Sequence, residues 1–221
     1  MNIIASTIEI KNIIDEPIEA FGLTYRGANA VIPAGGNNSE VRLRLLCYDR
    51  SGPKLDTFLN MKVGNRVLAT GSIIFSEDTA KPLDVVVTTL ETNIPQDMYL
   101  NQVVLGNAFF ATNEVKDRKN NTIATKIGTT LDNSSVTTWL FMETHDSRRE
   151  KLNSRIRKGR PICVQGYIRE YRKDSDSSDS PYRAIVANDF STRKDREQSG
   201  NNPQTKGTAS GYTEIDPTPD Y

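Results

Sequence analysis

The side chains of this chain that could do chemistry are aromatic and cationic, not catalytic. Trp139 is the only tryptophan, and Phe141 follows two residues later. Both alternate out of phase with Leu140 and Met142, which read as the buried face of a strand. That places Trp139 and Phe141 on the opposite face, where Trp139 suits a ligand and Phe141 suits either a ligand or cover by a loop or partner subunit. Arg169, Arg172 and Lys173 form a basic cluster with Tyr171 among them, and Lys126 adds a cation on an earlier strand. His145 is the only histidine and has no Cys/His cluster around it, so the sequence indicates no metal site. There is no Gly-rich phosphate loop and no Ser/His/Asp arrangement. The residues therefore point away from an enzyme and call for no cofactor.

Charge is unevenly spread. The 221 residues carry 28 Lys/Arg and 28 Asp/Glu, a net charge of zero. Residues 1–94 hold 9 basic and 11 acidic side chains, whereas residues 99–195 hold 17 and 12. The second half is thus the candidate for a polyanionic partner, and the tail beyond it is acidic. Hydrophobic residues make up 36% and mean hydropathy is −0.53. Apolar runs are only a few residues long, so no membrane span is expected. The start at Met1-Asn2-Ile3-Ile4 has no basic leader, which predicts a cytoplasmic protein. Cys47 and Cys163 lie at non-equivalent positions, and both read as buried, unpaired strand thiols.

The elements that must position these residues occur twice. Gly64 and Gly71 match Gly159 and Gly166 at a constant offset of 95 residues. Each pair opens a strand of alternating pattern, preceded by a short helical stretch and an earlier strand. In the first repeat, strands are expected at 2–14, 21–32, 41–48, 66–75 and 83–89, with a helix ending at Leu59 and a loop at Asp15-Glu16-Pro17. In the second, they are expected at 99–115, 122–131, 136–144, 162–171 and 182–190, with a helix capped by Asp146 or Ser147. The order β-β-β-α-β-β, twice, predicts an all-β chain of two tandem OB-fold barrels, five-stranded and Greek-key. The expected boundaries are 1–94, a linker at 95–98, 99–195 and a disordered tail at 196–221.

The second repeat resembles bacterial single-stranded DNA-binding proteins. The resemblance rests on Leu100-Asn101-Gln102-Val103-Val104-Leu105-Gly106-Asn107, on Val136-Thr137-Thr138-Trp139-Leu140-Phe141, and on Ile156-Arg157-Lys158-Gly159 with the strand from Ile162 to Arg169. The first repeat matches more loosely. Two barrels in one chain resemble the two-OB members of that family, which implies a homodimer with four barrels. The resemblance implies sequence-independent binding and protection of single-stranded DNA in replication, recombination and repair, with the protein associated with the nucleoid. It makes Trp139 a base-stacking residue, puts His145 where a phenylalanine is common, and puts Arg169, Tyr171, Arg172 and Lys173 on the binding strand and its loop. In the first repeat Arg42 or Arg44 falls at the stacking position and Tyr48 at the second one. The tail end, with Ile215, Asp216, Asp220 and Tyr221, would dock DNA replication and repair proteins. Two other readings fit the same fold: a primosome or assembly adaptor acting through protein contacts, and a single-stranded RNA binder.

Overall fold

The computed structural model describes residues 2–34, 40–76, 78, 80–130, 137–171 and 182–192. Among these, eleven strands form one continuous sheet that closes on itself twice. The first barrel contains β1 (Asn2–Ala20), β2 (Leu23–Ile32), β3 (Val41–Tyr48), helix α1 (Pro53–Leu59), β4 (Arg66–Ile74) and β5 (Leu83–Glu91). The second contains β6 (Asn101–Phe110), β7 (Lys116–Arg118), β8 (Thr122–Thr130), β9 (Thr137–His145), a 3-10 turn (Asp146–Arg148) leading into α2 (Arg149–Asn153), β10 (Pro161–Tyr171) and β11 (Tyr182–Thr192). Barrel one runs β1-β2-β3-β5-β4 and back to β1; barrel two runs β6-β8-β9-β11-β10 and back to β6. The β3–β5 and β9–β11 pairs are parallel and the others antiparallel. With a helix between the third and fourth barrel strands, each is an OB fold.

Each barrel interior is filled by alternate residues of its strands. Ile4, Ile8, Leu43, Leu45, Val67 and Val85 fill the first, and Val103, Leu105, Ile127, Met142, Ile168 and Phe190 the second. Phe58 is the one buried side chain of α1, and Leu152 the one of α2. Each plugs its barrel, a burial worth roughly 1.5–3 kcal/mol.

The four repeated glycines have matching jobs. Gly64 and Gly159 take φ of 85° and 82°, a region that β-carbons disfavour. Their N–H groups donate to the carbonyls of Ile10 (2.8 Å) and Phe110 (2.7 Å), clamping the turn onto the first strand of each barrel. Gly71 and Gly166 sit at register shifts in β4 and β10, and a β-carbon there would run into the carbonyl oxygens of Val86 and Val186.

The barrels are joined along β1 and β6, in antiparallel register from Asn2↔Leu105 to Ser6↔Asn101. The Thr7 N–H donates to the Leu100 carbonyl (2.9 Å), and Arg66 donates to the Gln96 and Met98 carbonyls of the connecting segment. A charged latch crosses the joint. Glu170, fully buried, accepts from Arg183 (2.8 Å) and from Arg42 of the first barrel (3.2 Å). Arg183 also donates to the Lys81 carbonyl (3.1 Å). Taking Glu170 out of water is tolerable only because these guanidiniums neutralise it.

Four expectations change. The segment around Asp15-Glu16-Pro17 is not a loop: β1 continues to Ala20, and the register merely shifts between Ile14 and Ile18. Pro17, which has no N–H to give a ladder, falls in that shift. The strand expected over 99–115 breaks after Phe110, because Gly159 takes the Phe110 carbonyl and Asn113 takes the Lys158 N–H (2.7 Å). The helical turn after β9 is capped by His145, whose Nδ1 accepts the Ser147 N–H (3.2 Å), not by Asp146 or Ser147. Cys47 is buried as expected, but Cys163 is exposed because it alternates with the core residues Ile162 and Val164. The tail expected to be disordered lies outside the described residues.

Candidate binding site on the second barrel

Strand β9 splits its side chains cleanly. Leu140, Met142 and Thr144 enter the barrel, and Trp139, Phe141, Glu143 and His145 take the other face. Opposite these last four on β8 stand Gly128, Lys126, Ala124 and Thr122. From β11, Tyr182 and Ala184 share the face, and β10 adds Tyr171 and Arg169 opposite them. This brings together residues more than forty positions apart.

Trp139 is 40% exposed and rests edge-on against Phe109 (5.7 Å, 82°). Gly128 leaves the room, since a β-carbon there would come within 2.6 Å of both rings. Phe141 tilts onto Tyr182 (5.1 Å), and Tyr182 onto Tyr171 (5.7 Å). Cations accompany every ring of this row. Lys126 lies 5.6 Å from the Trp139 centroid, and Arg169 lies 4.0 Å from that of Tyr171. Arg118 reaches over both Phe141 (5.5 Å) and Tyr182 (5.1 Å). Such contacts are worth about 0.5–1 kcal/mol at exposed sites.

Arg118 belongs to β7, a short flap turned back by Asn120 and Asn121 at φ of 58° and 52°, where asparagine is at ease. The flap is held by Arg149, which pairs with both Asp117 and Asp146. Beneath it opens a cleft of about 630 Å³, lined by Arg118, Asn120, Thr122, Glu143, Arg169, Tyr171 and Tyr182. A smaller recess of about 310 Å³ lies on the other side of Arg118, with Lys116, Lys126 and Phe141 in its wall. Glu143 is only 3% exposed, and its Oε2 accepts from the Tyr171 hydroxyl (2.9 Å) and from Arg169 (3.2 Å). Burial, reinforced by the Glu143 carboxylate, pushes the Tyr182 hydroxyl well above the usual tyrosine range and keeps it protonated.

Of the residues expected from sequence, Trp139, Phe141, Lys126, Arg169 and Tyr171 share this face. His145 lies at its end, exposed, with Nδ1 engaged to Ser147. Arg172 and Lys173, like Ile215, Asp216, Asp220 and Tyr221, lie outside the described residues. In the first barrel Arg44 donates twice to Asp84 (2.7 and 2.8 Å), Arg42 reaches Glu170, and Tyr48 packs edge-on against Tyr25 (6.1 Å). Phe109, Arg118, Glu143 and Tyr182 join this face without having been expected there. Tyr182 carries a signal of its own, since it shares parity with Ala184 while Ile185 and Ala187 are core. Arg118 carries none, because its place depends on the flap. Among the described residues, no three His, Cys, Asp or Glu side chains are grouped to hold a metal ion, and no helix is long and apolar enough to cross a membrane.

No protein-family model matches the sequence, and no curated protein matches it. Solved structures do. A deletion variant of the single-stranded DNA-binding protein from Thermus aquaticus aligns with a TM-score of 0.58 at 15% identity, covering 91% of this chain and 98% of that one. The wild-type Thermus aquaticus protein aligns with a TM-score of 0.55 at 16% identity, covering 93% and 96%. At such identities the likeness is one of fold, and it extends over both barrels.

Proposed function

We propose that this chain binds single-stranded DNA on the outer face of its second barrel, without catalysis. One observation carries the reading: Trp139, Phe141, Tyr182 and Tyr171 form a row of rings on one barrel face, with a cation over each. Rings give stacking surfaces for bases at about 1–3 kcal/mol each, and every base has a π-face. The interleaved cations suit the phosphates between them. The shared fold with the Thermus aquaticus protein supports the same reading.

Trp139 is the only tryptophan, so its fluorescence reports this face alone. Titration with oligo-dT should quench it, with log K falling against log salt by about 0.7 per phosphate contacted. An unchanged signal and no retained oligonucleotide at low salt would overturn the proposal. Oligo-U in the same titration tests the RNA alternative, which the 2′-hydroxyl distinguishes.

The wider reading is protection of exposed strands in replication, recombination and repair, by a nucleoid-associated cytoplasmic homodimer with four barrels. The domain division at residues 94 and 99, and the roles of Arg172 and Lys173, belong to it. So does docking of partner proteins by Ile215, Asp216, Asp220 and Tyr221, supported by the acidic, aromatic character of that end. Deleting residues 212–221 should abolish pull-down of replication and repair proteins while leaving oligo-dT binding intact; recovery of the same partners by the shortened chain would reject docking.

A further inference from the structure

Glu143 stands out on a face otherwise suited to stacking and phosphate pairing. A carboxylate is the wrong group for a polyanion, yet this one lies on the wall of the larger cleft beside Tyr171 and Tyr182, whose rings touch each other (5.7 Å). It is 3% exposed, so it does not serve as a solvated surface charge. Arg169 neutralises it at 3.2 Å, so the cleft does not repel an anion outright. The Arg169 and Tyr171 donors both converge on Oε2 and neither uses Oε1. The cleft therefore combines aromatic walls, a guanidinium over each of two rings, and an acceptor-only oxygen at depth.

Those features describe a pocket for the edge of a nucleobase. An ionised carboxylate accepts and cannot donate. Cytosine presents an N4 amino group on its Watson–Crick edge, which donates to a glutamate; thymine and uracil present the O4 carbonyl at the same place. A base with O4 directed at Glu143 sets acceptor against acceptor and leaves both the O4 and Oε1 without a donor, which is costly. Building on the single-stranded DNA reading above, we infer that the Glu143 cleft is a base-selective subsite that favours cytosine over thymine, set within a face that otherwise tolerates any base. The contiguous rings of Tyr171 and Tyr182 supply one aromatic wall, Arg118 borders the cleft from the flap, and Glu143 reads the amino group.

The test compares the full chain with oligo-dC, oligo-dT and oligo-dU of equal length, at one salt concentration. Wild type should hold oligo-dC roughly tenfold more tightly than oligo-dT, within the discrimination expected for a base-edge contact. Oligo-dU should behave as oligo-dT, which separates the missing amino group from the thymine methyl. Glu143→Gln should bring the dC-to-dT ratio to one or below, because Arg169 and Tyr171 hold the amide oxygen at the Oε2 position and leave the amide NH2 facing the base. Trp139→Ala should weaken both oligonucleotides by the same factor and keep the ratio. Tyr171→Phe keeps the carboxylate and a ring, so it should also keep the ratio; it gives a second reading should Glu143→Gln melt below the assay temperature. Equal affinity of wild type for oligo-dC and oligo-dT overturns the subsite while leaving single-strand binding in place. A ratio unchanged in a folded Glu143→Gln overturns it too, and makes Glu143 only a partner for Arg169 and Tyr171. Failure to bind any of the three overturns the DNA reading and the subsite together.

Discussion

On β3 of the first barrel, Arg42, Arg44, Leu46 and Tyr48 occupy the positions that Trp139, Phe141, Glu143 and His145 occupy on β9 of the second. The match is one of register. Leu46 pairs with Val86 as Glu143 pairs with Val186, and those two valines offer their carbonyls to Gly71 and Gly166. Across the neighbouring strand, Val31, Asn29, Gly27 and Tyr25 answer to Gly128, Lys126, Ala124 and Thr122. The backbone is one design used twice, yet the outer faces have opposite fates. In the first barrel the guanidinium of Arg44 is engaged by Asp84, and that of Arg42 by Glu170. Its long β1–β2 hairpin lays Ile14 and Ile18 over Gly27. In the second barrel two of the matching positions, Trp139 and Phe141, are rings beside cations, and a cleft lies open next to them. A barrel of this kind becomes a binding surface through what its third strand presents and through whether a hairpin lies across it. Closure of the barrel settles neither.

The sharpest check on the shared half of this comparison is steric. Gly71→Ala and Gly166→Ala should each drive a methyl into a backbone carbonyl, and each should cost about 3 kcal/mol or more in urea melts of the whole chain. A large cost at one site and none at the other would break the structural equivalence of the repeats. The next check concerns the half that differs. Trp139→Ala should weaken oligo-dT binding by roughly 1–3 kcal/mol with little change in melting temperature. Arg42→Ala, at the matching position, should change binding by less than about 0.5 kcal/mol, as expected of a substitution away from the ligand. It should still lower stability, because Glu170 loses one of its guanidiniums. Equal losses of binding at both positions would show that both barrels bind alike. The smallest expected effect is on salt dependence. Lys126→Ala should reduce the salt slope of binding by about 0.7, the share of one phosphate contact on a single strand. Arg44→Ala should leave the slope where it is, since Asp84 already holds that guanidinium.

How far the sequence can be read follows from the range of the forces involved. Gly64, Gly71, Gly159 and Gly166 were legible because steric demands are local, and only glycine meets them. Trp139 was legible because parity along one strand is local too. The break after Phe110 was not, since it depends on a carbonyl taken by Gly159, nearly fifty residues on. Arg42 could be placed at a stacking position by alignment, but its tie to Glu170 spans 128 residues and has no trace in either neighbourhood. Arg118 and Glu143 escaped for the same reason. One depends on a three-residue flap and the other on Arg169 and Tyr171 arriving from β10. The loop expected at Asp15-Glu16-Pro17 failed differently, because a proline that would end a regular ladder is accommodated by a register shift.

The place of β1 also bears on how the chain is made. Residues 3–6 are hydrogen-bonded on both flanks, to β4 on one side and to β6 on the other. Translation completes the first barrel's strands before any of β6 exists. Through that interval the nascent chain carries a row of open backbone donors and acceptors along β1, a template for any extended segment nearby. The second repeat, once it leaves the ribosome, covers that edge as its own first strand is laid down. The second repeat thus caps the edge of the first that its own strands leave open along β1.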